Sequence, residues 1–169
     1  MIRVFLSHQS ADATTAAYVA RRLKDRHGID SYLDVIDPYI GRPGENLAAH
    51  IRAQMGRCTQ LLAVISESTK ASQWVPWEIG VAAEKDHPLA TFSAGGTLPP
   101  EFLRKWPYLR TDPDLDQYAI ASKTARNTFM RNYTVNLSES AAQKSATGQF
   151  YTLLRHGLNQ SGDGVVEPD

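Results

Sequence analysis

The chain has 169 residues, 42% hydrophobic and 21% charged, with 18 Lys plus Arg against 18 Asp plus Glu. This is ordinary globular composition with enough chain for one core, and the zero net charge argues against a nucleic-acid or anionic-membrane binder. The one cysteine, Cys58, excludes an internal disulfide and a cysteine-based metal cluster.

The N-terminus, MIRVFLSHQS, turns polar too soon for a signal peptide. No later run approaches the roughly 18 apolar residues of a membrane span. A cytoplasmic domain is expected. Residues 2–7 (IRVFLS) are β-branched and aromatic and read as a strand buried on both faces. Ser10 and Asp12 offer N-caps to a helix whose apolar positions are Ala16, Val19, Ala20 and Leu23 and which Gly28 stops. A second short strand follows at 29–35, then a loop at 36–44 with two prolines and two glycines.

Residues 45–55 read as a helix, and 60–66 (QLLAVIS) as the strongest strand, a continuous apolar run suited to the centre of a parallel sheet. After a polar loop at 67–72, residues 73–85 read as a helix that tolerates Pro76 in its first turn. Strands at 88–92 and 108–111 flank a loop at 95–100. Residues 116–126 look helical, and 138–158 form a last helix weakened by Gly148. Alternating strands and helices imply an α/β fold with a parallel sheet and helices on both faces. Ligands bind such sheets outside the carboxyl ends of the strands. The loops at 7–12, 36–44 and 67–72 fall on that edge, and Glu78 stands near the start of the helix after the third.

Glu78 is an acid between Trp77 and Ile79, with Trp74 one turn earlier on the same helix face. Two readings stand side by side. A first-turn acid complements the helix dipole and is solvated. Alternatively, a carboxylate held among indoles binds ribose hydroxyls and stabilises an oxocarbenium-like centre. Arg42, between Gly41 and Gly44, offers a fork for phosphate, although neither GxGxxG nor Gly-Lys-Ser/Thr is present. His8 follows the first strand, where a satisfied or solvated histidine is the ordinary alternative to a functional one. No histidine spacing supports a metal. Cys58 reads as core, and Trp106 and Tyr108 as packing groups with access to a pocket edge.

Together these pieces resemble a Toll/interleukin-1 receptor (TIR) domain. Three boxes match in order over residues 2–93: RVFLSHQSAD, SYLDVIDPYIGRPGENLAAHIRAQM and CTQLLAVISESTKASQWVPWEIGVAAE. The resemblance implies a flavodoxin-like three-layer fold with a central parallel sheet of about five strands. It implies a TIR domain over 1–130, a C-terminal helical extension packing on it over 131–160, and a flexible tail over 161–169. In NAD-cleaving members the Glu of Trp-x-x-x-Glu is catalytic, which here is Glu78 with Trp74. Phe5, Ser7, His8, Tyr39 and Arg42 would line the substrate site. NAD+ would be substrate, with no cofactor and no metal.

A stand-alone chain of this kind resembles the signal-producing partner of Thoeris-type antiphage defence. Its product would reach a separate effector protein, and the domain would self-associate, with no nucleic-acid or membrane partner. The departures are Pro76 and Trp77 inside the Trp-x-x-x-Glu box. The rivals are a non-catalytic adaptor that acts by TIR–TIR assembly and a nucleoside or deoxyribose transferase. The acid at position 78 favours the enzyme over the adaptor.

Overall fold

The five strands are β1 (Arg3–His8), β2 (Asp30–Val35), β3 (Gln60–Val64), β4 (Leu89–Phe92) and β5 (Tyr108–Leu109). They form one sheet in the order β2-β1-β3-β4-β5, and every neighbouring pair is parallel. This is the flavodoxin-like order, whose direction reverses between β1 and β3. The computed structural model describes residues 1–35, 47–67, 80, 86–135 and 138–161. The expected loop at 36–44, the start of the helix at 45–55, nearly all of the helix at 73–85 and the tail from 162 lie outside the described residues.

Four helices are described: α1 (Ala13–His27), α2 (Leu47–Met55), α3 (Asp112–Thr134) and α4 (Glu139–Leu158). Two apolar layers enclose the sheet. On one side Val4, Leu6, Leu62, Val64 and Phe92 pack with α1, α3 and α4. On the other Phe5, Leu61, Ala63 and Leu89 pack with Met55 of α2, Cys58 and Leu103. Strands buried on both faces are continuous apolar runs for this reason. Cys58 is a core residue, and burial pushes its thiol pKa up.

Local chemistry sets the helix ends. α1 buries Ala16, Val19 and Leu23, then stops at Gly28, whose φ of 64° is left-handed; its N–H donates to the Lys24 carbonyl and the following Ile29 N–H to the Leu23 carbonyl. The helix expected at 116–126 starts four residues earlier and runs on to Thr134. A capping box explains the early start: the Thr111 hydroxyl accepts from the Asp114 N–H at 3.3 Å, and the Asp114 carboxylate accepts from the Thr111 N–H at 3.1 Å. Capping duty also takes Thr111 out of β5, which is shorter than the expected 108–111. Gly148 does not break α4, because Ala142, Ala146, Phe150 and Leu154 recur every four residues as its buried face. Ala146, Phe150 and Leu154 enter the same core as β1 and α1, and the Phe150 ring meets Tyr118 edge-on at 5.7 Å.

Polar contacts join these layers. Arg22 of α1 forks onto Asp112 at 3.0 Å and Asp116 at 2.8 Å, both on α3, while His27 contacts Asp116 at 2.8 Å. Inside the core, the Gln60 amide donates to the Tyr118 hydroxyl at 2.5 Å and to Ser122 at 2.7 Å. Burial raises the Tyr118 pKa, so this phenol stays neutral.

At the β5 edge, Pro107 and Leu109 turn their carbonyls toward β4, where they accept from the Thr91 and Ser93 N–H groups. Tyr108 therefore turns its own N–H and carbonyl outward. The Gln160 side chain takes both: it accepts from the Tyr108 N–H at 3.1 Å and donates to the Tyr108 carbonyl at 2.7 Å.

Candidate functional site

Side chains along a strand alternate between faces, which divides the carboxyl end of β1. Phe5 belongs to the core on the α2 side and Leu6 to the core on the α1 side. Ser7 therefore faces the α2 side and His8 the α1 side, and both are buried. The His8 Nδ1 lies 3.2 Å from the Leu6 carbonyl, two residues back on the same face. A carbonyl only accepts, so this contact puts the ring proton on Nδ1. Thus Phe5 and Ser7 share a face and His8 lies across the sheet from them.

Register then assembles a surface on the α2 side. One row is apolar: Tyr32, Phe5, Leu61 and Leu89 stand side by side across β2, β1, β3 and β4. Two residues nearer the carboxyl edge the row is Ser7, Ala63 and Thr91. The face changes from apolar to polar in one step, at the edge where ligands of such sheets bind. Phe5 and Tyr32 bring their rings to 5.6 Å, and the Arg3 guanidinium lies 5.7 Å from the Tyr32 ring.

Thr91, and Ser93 beyond it, are buried, and their hydroxyls have no hydrogen-bond partner among the described residues. A buried polar group without a partner needs an explanation. The strand reading of 88–92 does not single out Thr91, and Ser93 lies one residue beyond it. The signal was present: Leu89, Thr91 and Ser93 alternate with Ala90 and Phe92, the pattern of a strand with a polar stripe.

Asp12 corrects an expectation. It stands at the N-cap of α1, but its side chain makes no cap hydrogen bond. The chain enters α1 through a short 3-10 turn at Ser10–Asp12. The buried Asp12 carboxylate accepts from the Ser66 hydroxyl at 3.1 Å. It thus ties the loop after β1 to the loop after β3, across the point where strand order reverses. Tyr39, Arg42, Trp74 and Glu78 lie outside the described residues. Trp106 is partly buried against the α2-side core, with the Lys105 ammonium 4.1 Å from its ring. Among the described residues no cluster of three His, Cys, Asp or Glu could hold a metal ion, and no helix is long and apolar enough to cross a membrane.

The chain is similar to several solved structures, two of them as follows. One holds the TIR domains of the activated Roq1 resistosome directly recognizing the pathogen effector XopQ, at 15% identity, covering 94% of this chain and 98% of that one, with a TM-score of 0.43. The other is a diflavin flavoprotein A3 from Nostoc sp., at 13% identity, covering 94% of this chain and 97% of that one, with a TM-score of 0.43. No curated protein matches the chain. The family model for the TIR domain matches residues 4–119, more than half of the chain, and spans all five strands of the sheet. The chain belongs to the TIR domain family.

Proposed function

We propose that the chain is an NAD+-cleaving TIR enzyme in which Glu78 is the catalytic carboxylate. The observation that carries this reading is the Trp74-x-x-x-Glu78 spacing inside the stretch that the family model covers. The polar row at the carboxyl edge supports it, with Phe5, Ser7 and the loop residues Tyr39 and Arg42 as substrate contacts. His8 lies across the sheet from Phe5 and Ser7, so its part is indirect.

The reaction breaks the bond between nicotinamide and ribose. Nicotinamide leaves neutral, so no general acid is required. Glu78 accepts the ribose hydroxyls and stabilises the positive charge that develops at the anomeric carbon. Attack by water forms ADP-ribose and releases a proton, whereas attack by a nucleophile within the same ADP-ribose closes a cyclic product. We place this activity in antiphage defence, where the nucleotide product carries the signal to a separate effector. Assembly through the TIR domain completes the site, so activity rises with protein concentration.

The test is an incubation of concentrated protein with NAD+ beside a Glu78→Gln variant, with products resolved by chromatography and mass. The variant keeps shape and hydrogen bonding but loses the charge. Wild type releases nicotinamide, and the variant is slower by roughly a hundredfold or more, the usual size for removing one electrostatic stabiliser. Wild type that leaves NAD+ intact at every concentration overturns the reading and favours the adaptor.

A further inference from the structure

A cleft of about 460 Å³ opens outside the carboxyl ends of β4 and β5. Thr15, Tyr18 and Arg21 of α1 form one wall, Phe92 lies at the floor, and Arg110 and Asp112 form the other wall. Phe92 belongs to the core on the α1 side. The cleft is therefore across the sheet from the row containing Ser7 and Thr91. Its volume suits one small molecule.

The charges in this cleft are unevenly matched. Asp112, its one acid, is already engaged: it accepts from the Tyr18 hydroxyl at 2.6 and 2.7 Å and from Arg22 at 3.0 Å. The Asp112 carboxylate also pushes the Tyr18 pKa up, so the phenol remains a neutral donor at physiological pH. By contrast, the ion pairs among the described residues are made by Arg22, Lys24 and His27, and neither Arg21 nor Arg110 has one. The Arg110 guanidinium rests 5.7 Å from the Tyr108 ring, and its backbone N–H, not its side chain, serves Asp114. Two guanidiniums thus line opposite walls of one cleft with no acceptor among the described residues, Arg110 beside an aromatic ring.

We infer that this cleft binds a phosphate-bearing small molecule of nucleotide size, with the phosphate between Arg21 and Arg110 and the base against Tyr18. A guanidinium fork takes two oxygens of an oxyanion. A carboxylate has only two and fills one fork, whereas a terminal phosphate has three and bridges both walls. The Tyr18 ring supplies a surface for a planar base. This inference stands independently of the NAD+ reading.

The test is equilibrium dialysis of the full chain against labelled AMP, with adenosine as the uncharged probe. Wild type and Glu78→Gln bind AMP equally, one molecule per chain. The Arg21→Gln/Arg110→Gln double variant binds AMP at least about tenfold more weakly, the size expected when charge-assisted hydrogen bonds are lost. Its circular dichroism and melting curve match wild type, since both side chains are exposed. Adenosine binds wild type at least about tenfold more weakly than AMP does. Undiminished AMP binding by the double variant, loss of binding in Glu78→Gln instead, adenosine matching AMP, or no retention of AMP at millimolar concentration overturns the inference.

Discussion

Asp116 joins α1 to α3 through two partners, His27 and Arg22. His27 first, and then Arg22, hold its carboxyl below the ordinary value of 3.8. A lowered folded pKa marks the ionised form as the one the fold favours. The contribution of Asp116 is therefore fully present above about 3.8 and is lost as pH falls through the lowered folded value. Asp116→Asn removes it at every pH. Melting curves should show the variant less stable than wild type at pH 7, with the gap closing as the pH falls to about 2. A gap that persists in acid would mean that packing, and not charge, joins these helices. The buried Gln60–Tyr118–Ser122 group is neutral on every side, and it sets no such pH window. The two networks bind α3 to the rest of the molecule by different means, one sensitive to acid and salt, the other to neither.

Elements are decided by caps and packing together. Gly28 ends α1 at a φ of 64°, where a Cβ is strained although the space around it is open. Gly28→Ala should lower stability by about 1 kcal/mol, read from urea denaturation. A neutral result would mean that the α1 terminus refolds without its left-handed cap. This stop was legible, as were β1 and β3, because apolar runs and a lone glycine are strong local signals. The early start of α3 was overlooked although its signal, Thr111 three residues before Asp114 with Pro113 between, is written in the chain. α4 was harder to read: Gly148 opposes a helix locally, and only the packing of Phe150 and Leu154 into a distant core overrides it. At the site, the family resemblance led to Phe5 and Ser7. It did not separate His8 from them, although two-residue alternation does. Asp12 was read as a cap because caps are local, whereas its partner Ser66 lies 54 residues away. The carboxylate that carries the proposed chemistry, Glu78, was proposed from the order of elements, which brings it to the carboxyl edge, and from its Trp-x-x-x-Glu box.

At the scale of the whole molecule, the order β2-β1-β3-β4-β5 gives the two faces of the sheet different tasks. The α2 side carries the polar row beside the reversal of strand order. The α1 side carries the arginine-walled cleft. α4 is continuous with the main core, so the C-terminal helix and the sheet should melt together. That continuity also delivers Gln160 to the edge of β5. An exposed strand edge is a template for pairing with another chain. Gln160→Ala should leave the monomer folded but raise light scattering at high protein concentration, and unchanged scattering would show that the edge is guarded by other means. The primary amide of glutamine carries one carbonyl and one N–H donor pair, the same functional group as a peptide unit. Gln160 therefore acts as a chain terminator in the polymer chemist's sense: a single-residue surrogate strand that satisfies the growing end and presents no backbone edge for the next strand to join.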